Sequence, residues 1–380
     1  MKTFCQASLA LALLAAMAAQ ASAGPPSAYA NHGSQTLGDL SSASHTLGDA
    51  GDCSCGGGGT CDSCCGSSAC DTGCDDSCCD PCCWMHRFYV FGEGLALRAR
   101  NTEVAYAVPV NAVIPPVLGP PVQVGPVGVV DQGYEAGFRL GGGIVCDDFS
   151  SLSVQYTFFE SSQGDQIATN APQVLQSLVH HPLTLSAVSP FLQANARHDI
   201  DLDLVDIDYR HVFRIGNSYA LNWLAGVRYA HLEQTFLSNF LVNGNSQVFS
   251  NVVFDGAGIR VGLEGERVGR RGFLAYGKGH ASFVAGEFHS TYVQDDILAQ
   301  NEVFTTWEGA RVVSILDLEI GLGWYSASGR WRLSGGYLVS GWFNTVKTDD
   351  WIDAVRRNNF VDLNDSISFD GFVGRLEYRF

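Results

Sequence analysis

The sequence lacks a long hydrophobic run and has few charged residues. After residue 23 no stretch reaches the roughly 18 consecutive apolar residues that a membrane-spanning helix needs, which excludes a helical span in the mature chain. Only 16% of the 380 residues are charged, below the roughly 25% of a typical soluble domain. The 22 Lys and Arg against 39 Asp and Glu give a net charge of −17. This charge excludes a nucleic-acid binder, because few cations are available to replace phosphate counterions.

Motifs for catalysis and cofactor binding are also missing. The chain has no phosphate-binding loop, dinucleotide fingerprint, H-E-x-x-H or G-x-S-x-G motif. His180 and His181 near Ser177, and His289 before Ser290, are the remaining candidates for a barrel hydrolase, although histidines in polar loops are usually only solvated. We therefore expect no enzyme and no cofactor, with a hydrolase as the least favoured alternative.

The first 23 residues have the pattern of a secretory signal peptide. Lys2 supplies the positive charge, Leu9–Ala19 is a short apolar run, and Ala21-Ser22-Ala23 fits the small-residue cleavage pattern. We expect this segment to be removed during export.

Residues 24–83 are rich in Gly, Ser, Asp and Cys, and they contain too few large apolar side chains to offset the entropy of folding. We interpret them as a periplasmic linker. Eleven of the 13 cysteines lie here, and in an oxidising compartment they predict disulfides within the chain, to another copy or to envelope proteins. Metal binding by CxxC thiolates and inert low complexity stay open, so whether a metal binds is unknown. The cysteines are Cys53, Cys55, Cys61, Cys64, Cys65, Cys70, Cys74, Cys78, Cys79, Cys82 and Cys83.

From Trp84 onward, apolar residues alternate with small or polar ones, as in strands with two different faces. Leu316, Leu318 and Ile320, for example, alternate with Asp317 and Glu319. The polar face is mostly Gly, Ser and scattered charges, whereas a soluble sandwich presents a highly charged face to water. The pattern therefore favours an all-β fold over residues 84–380, a closed antiparallel transmembrane β-barrel with lipid outside and a crowded polar lumen.

Ten strands are predicted, at 87–100, 133–145, 150–160, 199–212, 218–232, 248–264, 272–288, 310–325, 330–343 and 367–380; eight or twelve stay open. Short connectors near 146–149, 213–217, 265–271 and 326–329 alternate with long ones at 101–132, 161–198, 233–247, 289–309 and 344–366. This alternation predicts that the long loops are extracellular and that the linker and the C-terminus are periplasmic. A frame change in 199–210 predicts one β-bulge, and helical stretches are expected at 174–179 and 350–358.

The last strand carries a second signal for the outer membrane. Phe372, Leu376, Tyr378 and Phe380 share one face, and the chain ends on an aromatic residue. A closing strand of this kind resembles the signal read by the barrel-assembly machinery. We therefore expect that machinery and outer-membrane lipid as partners, in a Gram-negative-type cell.

Several strand segments resemble a known family. They are Phe91–Val110 (FGEGLALRARNTEVAYAVPV), Gly133–Gly143 (GYEAGFRLGGG), Ser153–Ser161 (SVQYTFFES), Leu221–Phe236 (LNWLAGVRYAHLEQTF) and Phe254–Glu266 (FDGAGIRVGLEGE). They are similar to the pore-forming outer-membrane proteins related to the Legionella major outer membrane protein. The likeness covers about 84–380 and implies a porin-like barrel without catalytic residues.

The main functional hypothesis is passive passage of small hydrophilic solutes through a narrow, loop-gated pore. An excess of acids among the candidate lumen residues predicts mild cation selectivity. In the alternative, the barrel anchors the outer membrane to an envelope layer through the Cys-rich linker. The pore-lining candidates are Glu135, Arg139, Asp201, Asp203, Asp206, Asp208, Arg228, Arg260, Glu264, Asp317, Glu319, Arg332, Arg375 and Glu377.

Overall fold

The computed structural model describes residues 88–111, 122–147, 149–216, 218–241, 245–296, 299–361 and 363–380. The predicted signal peptide and the Cys-rich linker, including its eleven cysteines, lie outside the described residues. Both therefore stay predictions.

Thirteen strands account for most of the described chain, and ten of them form one antiparallel sheet arranged in a ring, in the order β1-β13-β12-β11-β10-β9-β8-β7-β5-β4. The first strand pairs with the last on one side and with β4 on the other. The prediction of an all-β fold with about ten antiparallel strands in one sheet is thereby confirmed. In chain order the strands are β1 Phe88–Arg100, β2 Val104–Val110, β3 Gly128–Val130, β4 Glu135–Asp147, β5 Ser150–Ala168, β6 Val174–Ser177, β7 Gln193–Gly216, β8 Tyr219–Leu241, β9 Asn245–Val268, β10 Phe273–Asp296, β11 Ala299–Tyr325, β12 Trp331–Thr345 and β13 Asp365–Arg379.

The two ends of the ring differ in their connections. At one end, which we call the short-turn rim, the strands are joined at 148–149, 217–218, 269–272 and 326–330, and both Phe88 and Phe380 lie there. At the other end, the long-loop end, the connections hold a small sheet of order β3-β2-β6 and two helices, α1 Leu185–Val188 and α2 Thr348–Arg357. Among the described residues, no helix combines the length and apolarity needed to cross a membrane.

The strands are longer than the sequence pattern predicts. Residues 233–247 and 289–309 were expected to be long loops, and this prediction is wrong, because β8 pairs with β9 up to Leu241–Asn245 and β10 with β11 up to Asp296–Ala299. At 23 to 27 residues, strands β8 to β11 greatly exceed the roughly 9–11 residues that cross a bilayer. The barrel wall therefore extends well beyond any membrane at the long-loop end.

The chemistry of the two strand faces inverts along these strands. In β8, Val227 and Tyr229 are exposed on the outer face while Arg228 is buried inside. Farther toward the long-loop end, Leu232 and Phe236 are buried inside and most residues of the outer face are polar. Pairing with β9 continues without a register shift through this region. The pleat is thus regular, and only the environment of each face changes.

The same inversion corrects two predictions for β7. The expected bulge in 199–210 is wrong, because pairing with β5 runs unbroken from Ser150–His211 to Ala168–Gln193. Ile200 and Leu202 point inward. Asp201 and Asp203 therefore point outward, where Asp203 accepts a hydrogen bond from the Tyr156 hydroxyl.

An apolar core fills the barrel at the long-loop end, where the loops fold inward. Trp351, Ile352 and Val355 form the buried face of α2, and Leu175 and Tyr106 bring the small sheet into the same core. The predicted helix at 350–358 is confirmed as α2, with acids in its first turn and arginines in its last, as the helix dipole favours. The helix expected at 174–179 is wrong, because residues 174–177 pair with β2 as an edge strand instead.

Candidate functional site

The lumen beneath the apolar core is lined by ionised side chains that pair with one another. Arg228 lies at its centre, with its Nε 2.6 Å from Asp206 Oδ1 and its Nη1 2.7 Å from Asp317 Oδ2. Arg260 Nη1 is 2.5 Å from Asp208 Oδ2 and 3.1 Å from Asp206 Oδ2. These five residues come from β7, β8, β9 and β11, so the network crosses the barrel interior.

Two further groups of ion pairs extend the network. Glu93 accepts from Arg139 at 2.7 Å and from Arg375 at 3.0 Å, which links β1 to β4 and β13. Lys278 Nζ is 2.9 Å from Glu319 Oε1 on the neighbouring strand. Toward the short-turn rim, Arg379 Nε is 2.8 Å from Glu377 Oε1, and Arg332 Nη2 is 3.3 Å from Glu266 Oε2.

The network contains equal numbers of acids and bases. Eight carboxylates face eight cationic groups, so their formal charges cancel. The free space among them is a cavity of about 30 Å³ lined by Glu93, Arg139 and ten other residues. Mutual attraction between these buried charges offsets part of their desolvation cost, but the paired side chains also fill the space through which a solute would pass. The acids are Glu93, Asp206, Asp208, Glu264, Glu266, Asp317, Glu319 and Glu377, and the bases are Arg139, Arg210, Arg228, Arg260, Lys278, Arg332, Arg375 and Arg379.

Most of the pore-lining candidates point into the interior, and two do not. Asp201 and Asp203 lie on the outer face, because β7 inverts above the lumen, so two of the nine predicted lumen acids do not face the lumen. Those that point inward are Glu135, Arg139, Asp206, Asp208, Arg228, Arg260, Glu264, Asp317, Glu319, Arg332, Arg375 and Glu377.

Six ionisable residues of the charged lumen network are not among the pore-lining candidates predicted from the sequence. Lys278 and His280 alternate with Gly277 and Gly279 on β10, and because glycine carries no side chain the pattern gave no apolar face to contrast with. Glu93 shares its face with Phe91 and Leu95, which made it look like the apolar side of β1. The six are Glu93, Arg210, Glu266, Lys278, His280 and Arg379.

Hydrogen bonds fasten the α2 connection to the barrel wall above the lumen. Gln234 Nε2 donates to the Val346 carbonyl at 2.9 Å, and Lys347 Nζ is 2.6 Å from Asp365 Oδ2. At the other end of α2, Arg356 Nε donates to the His180 carbonyl at 3.2 Å, which joins the two long loops. We call α2 together with residues 174–184 the cap.

The histidines considered for hydrolysis do not form one site, because His180 and His289 lie in different parts of the structure. His180 Nε2 is 2.8 Å from Ser246 Oγ, and both residues are buried in the cap region. Burial lowers the pKa of His180 to about 4. The Ser177 hydroxyl accepts from the His180 backbone N–H instead of facing its ring. His289 lies on the outer face beside Glu287 and Glu308.

The last strand presents its aromatic residues as the sequence pattern describes. Phe372, Leu376 and Phe380 are exposed on the outside, and the Tyr378 and Phe380 rings stack with centroids 5.8 Å apart. Phe88 and Phe380 exchange backbone hydrogen bonds of 3.1 and 2.9 Å, which joins the first and last strands.

A broad apolar band surrounds the outside of the barrel at the level of the charged lumen. Along β8 it runs from Tyr219 to Tyr229, ten steps or about 33 Å of strand, which is roughly 25 Å along the membrane normal at a tilt near 40°. That is the height of the apolar band on outer-membrane barrels. Its exposed members include Val90, Leu140, Val154, Val227, Ile259, Leu263, Leu318, Ile320, Leu322, Leu333, Val339, Phe372 and Leu376.

A polar lumen inside an antiparallel ring, with an apolar band outside, defines an outer-membrane β-barrel protein. The family model for the Legionella pneumophila major outer membrane protein precursor matches residues 81–380. The chain therefore belongs to that family. Among curated proteins, none matches the chain.

Similar solved structures are also outer-membrane proteins. The Escherichia coli outer membrane protease OmpT is 13% identical to this chain, with a TM-score of 0.47. The match covers 77% of this chain and 97% of the OmpT chain. The Ralstonia pickettii toluene transporter TbuX is 10% identical, with a TM-score of 0.32, and the match covers 78% of this chain and 90% of the TbuX chain. Likeness at this level carries no argument about activity.

Proposed function

We propose that the protein is a gated outer-membrane channel, a closed and membrane-spanning barrel that is non-enzymatic and shut in its resting state. The observation that carries the proposal is a lumen lined by ionised groups beneath a cap of inward-folded loops. A polar lumen offers water and hydrophilic solutes a path that an apolar filling would deny them. A permanently open pore, in turn, would have no loops folded into the long-loop end of its lumen.

The proposed orientation follows from the different lengths of the connections at the two ends of the barrel. The long-loop end lies outside the cell, and the short-turn rim, with the linker and the C-terminus, lies in the periplasm. The polar outer face beyond Tyr229 then lies above the lipid tails, in the headgroup layer and the water. A solute entering from outside meets the cap before it meets the ion pairs.

Opening requires two changes in this proposal. The cap must leave the mouth, and the paired side chains of the lumen must exchange partners so that water and small solutes pass between them. Because the lumen charges balance, we expect weak ion selectivity rather than the cation preference expected from composition.

Current recordings in planar bilayers test this proposal. Trp351→Ala removes a fully buried anchor of α2, and such truncations cost about 3–5 kcal/mol, so the variant should open far more often than the wild type. Arg357→Ala is the matched control, because this arginine lies on the exposed face of the same helix. Silence from both variants and the wild type would reject the channel.

Anchoring of the outer membrane is the second candidate function, and the filled lumen favours it. In that case the barrel never conducts, and the cysteines of residues 24–83 join it to other envelope proteins or to other copies. Electrophoresis without a reducing agent should then show crosslinked species that collapse to monomer on reduction. Monomer alone under both conditions would reject this role.

A further inference from the structure

Four arginines protrude from the short-turn rim without a carboxylate partner. Arg214 lies two residues before the end of β7, Arg267 lies one residue before the end of β9, and Arg270 with Arg271 form the turn between β9 and β10; all four are exposed. Within the described parts of the chain, none of them forms a salt bridge. By contrast, the cations just inside this rim, such as Arg332 and Arg379, are paired with glutamates.

Hydrogen bonds hold the turn that carries two of these arginines. Trp324 Nε1 donates to the Arg271 carbonyl at 3.2 Å, and the Gly269 N–H donates to the Phe273 carbonyl at 2.6 Å. Gly272 has a φ of 81°, which a residue without a Cβ adopts at little cost. Because the backbone is fixed, the two guanidinium groups are held at the rim.

The segment that leads to this rim has the opposite charge. Residues 24–83 contain eight aspartates and no Glu, Lys or Arg. They precede Phe88, where β1 begins at the same rim. The aspartates are Asp39, Asp49, Asp52, Asp62, Asp71, Asp75, Asp76 and Asp80.

We propose that the arginines of the short-turn rim bind the acidic Cys-rich segment of the same chain. Asp80 lies eight residues before Phe88 and reaches about 26 Å when extended, whereas a ten-stranded barrel is roughly 20 Å across. Tethering raises the local concentration of the carboxylates to the order of millimolar, so even individually weak charge pairs can form. The interaction is independent of whether the barrel conducts.

Anionic phospholipid is the competing occupant of the rim. Phe273 and Trp324 next to the turn are exposed on the outer face, where aromatic residues mark the membrane interface. Arg270 and Arg271 lie in the turn beyond these aromatics, on the side away from the apolar band. This position favours the linker, which enters from the periplasm, over lipid headgroups.

Zero-length crosslinking of the full mature chain tests the proposal. In Arg270→Lys and Arg271→Lys the positive charge stays and an amine is supplied, so a carbodiimide should join that amine to an aspartate of residues 24–83. Mass spectrometry of the peptides identifies the bond. Replacing the eight aspartates with Asn should remove this crosslink, because no carboxylate is left in the segment. High salt should remove it as well, because screening weakens exposed charge pairs.

Arg357→Lys is the control at the opposite end of the barrel, where Arg357 Nη2 is 3.0 Å from Asp353 Oδ2. It should crosslink to Asp353 and not to the linker. A control that reacts while both rim variants give no linker peptide would overturn the proposal. Crosslinks that form in phosphatidylcholine nanodiscs but vanish in phosphatidylglycerol nanodiscs would assign the rim to lipid and overturn it as well.

Discussion

His180 gives the cap a dependence on pH. Its ring is buried, its Nε2 contacts Ser246, and its Nδ1 has no hydrogen-bond partner in the described structure. Burial lowers its pKa to about 4, although Asp296 acts in the opposite direction and Arg356 reinforces the shift. In a cap that has left the mouth, the pKa returns to about 6.5. The detached cap therefore binds the proton more readily, and the closed state loses stability as the pH falls from 6.5 toward 4.

We predict that acidification from pH 7 to pH 5 loosens residues 177–184. The expected loss is about 1.8 kcal/mol, or about a 20-fold increase in the opening equilibrium. Hydrogen exchange of these amides, corrected for the intrinsic effect of pH, measures it. His180→Asn should show no such change between the two pH values. Equal protection of the wild type at pH 5 and pH 7 would contradict the prediction.

At the scale of single residues, the sequence predicted the lumen where a polar side chain alternates with an apolar one. Arg228 and Asp317 are examples, because Val227 and Leu316 mark the opposite face. Asp201 and Asp203 show the limit of this reasoning. Alternation identifies two faces of a strand, but which face points inward depends on whether the surroundings are lipid or water.

At the scale of the element, the long strands combine two environments. In β8 the outer face is apolar up to Tyr229 and polar beyond it, with an unbroken ladder to β9. The number of strands followed from the sequence, since each lipid-facing half has a clear pattern. Their length did not, because the halves above the lipid have apolar residues inside and polar ones outside. From alternation alone, these halves are therefore expected to be loops.

Two substitutions on the outer face of β8 should separate these environments. Val227→Arg places a charge in the apolar band, between its midplane and its edge, where it should cost about 1–3 kcal/mol of folding free energy. Thr235→Arg lies eight residues farther along the same face and should change stability by about 0.5 kcal/mol or less. Urea titration of folding into lipid vesicles measures both. Equal costs at the two positions would contradict the assigned height of the membrane.

For the whole molecule, the distribution of charge along the chain says more about the lumen than the net charge does. Residues 24–83 carry eight of the 39 acidic residues, while the lumen network balances eight acids with eight bases. The net charge of −17 therefore says little about the lumen. Partner choice inside the barrel depends on contacts between distant strands, such as β8 with β11 through Arg228 and Asp317, which no local pattern encodes.

Nitroxide scanning along β8, in a variant with serine in place of the native cysteines, tests the central claim of a lipid-embedded barrel with a filled interior. Outward positions 221–229 should collide with oxygen, as in lipid, and outward positions 231–239 with a water-soluble nickel complex. Inward positions 222–228 should be shielded from both. Free access of the nickel complex to the inward positions in the resting protein would reveal an open aqueous lumen and contradict the account.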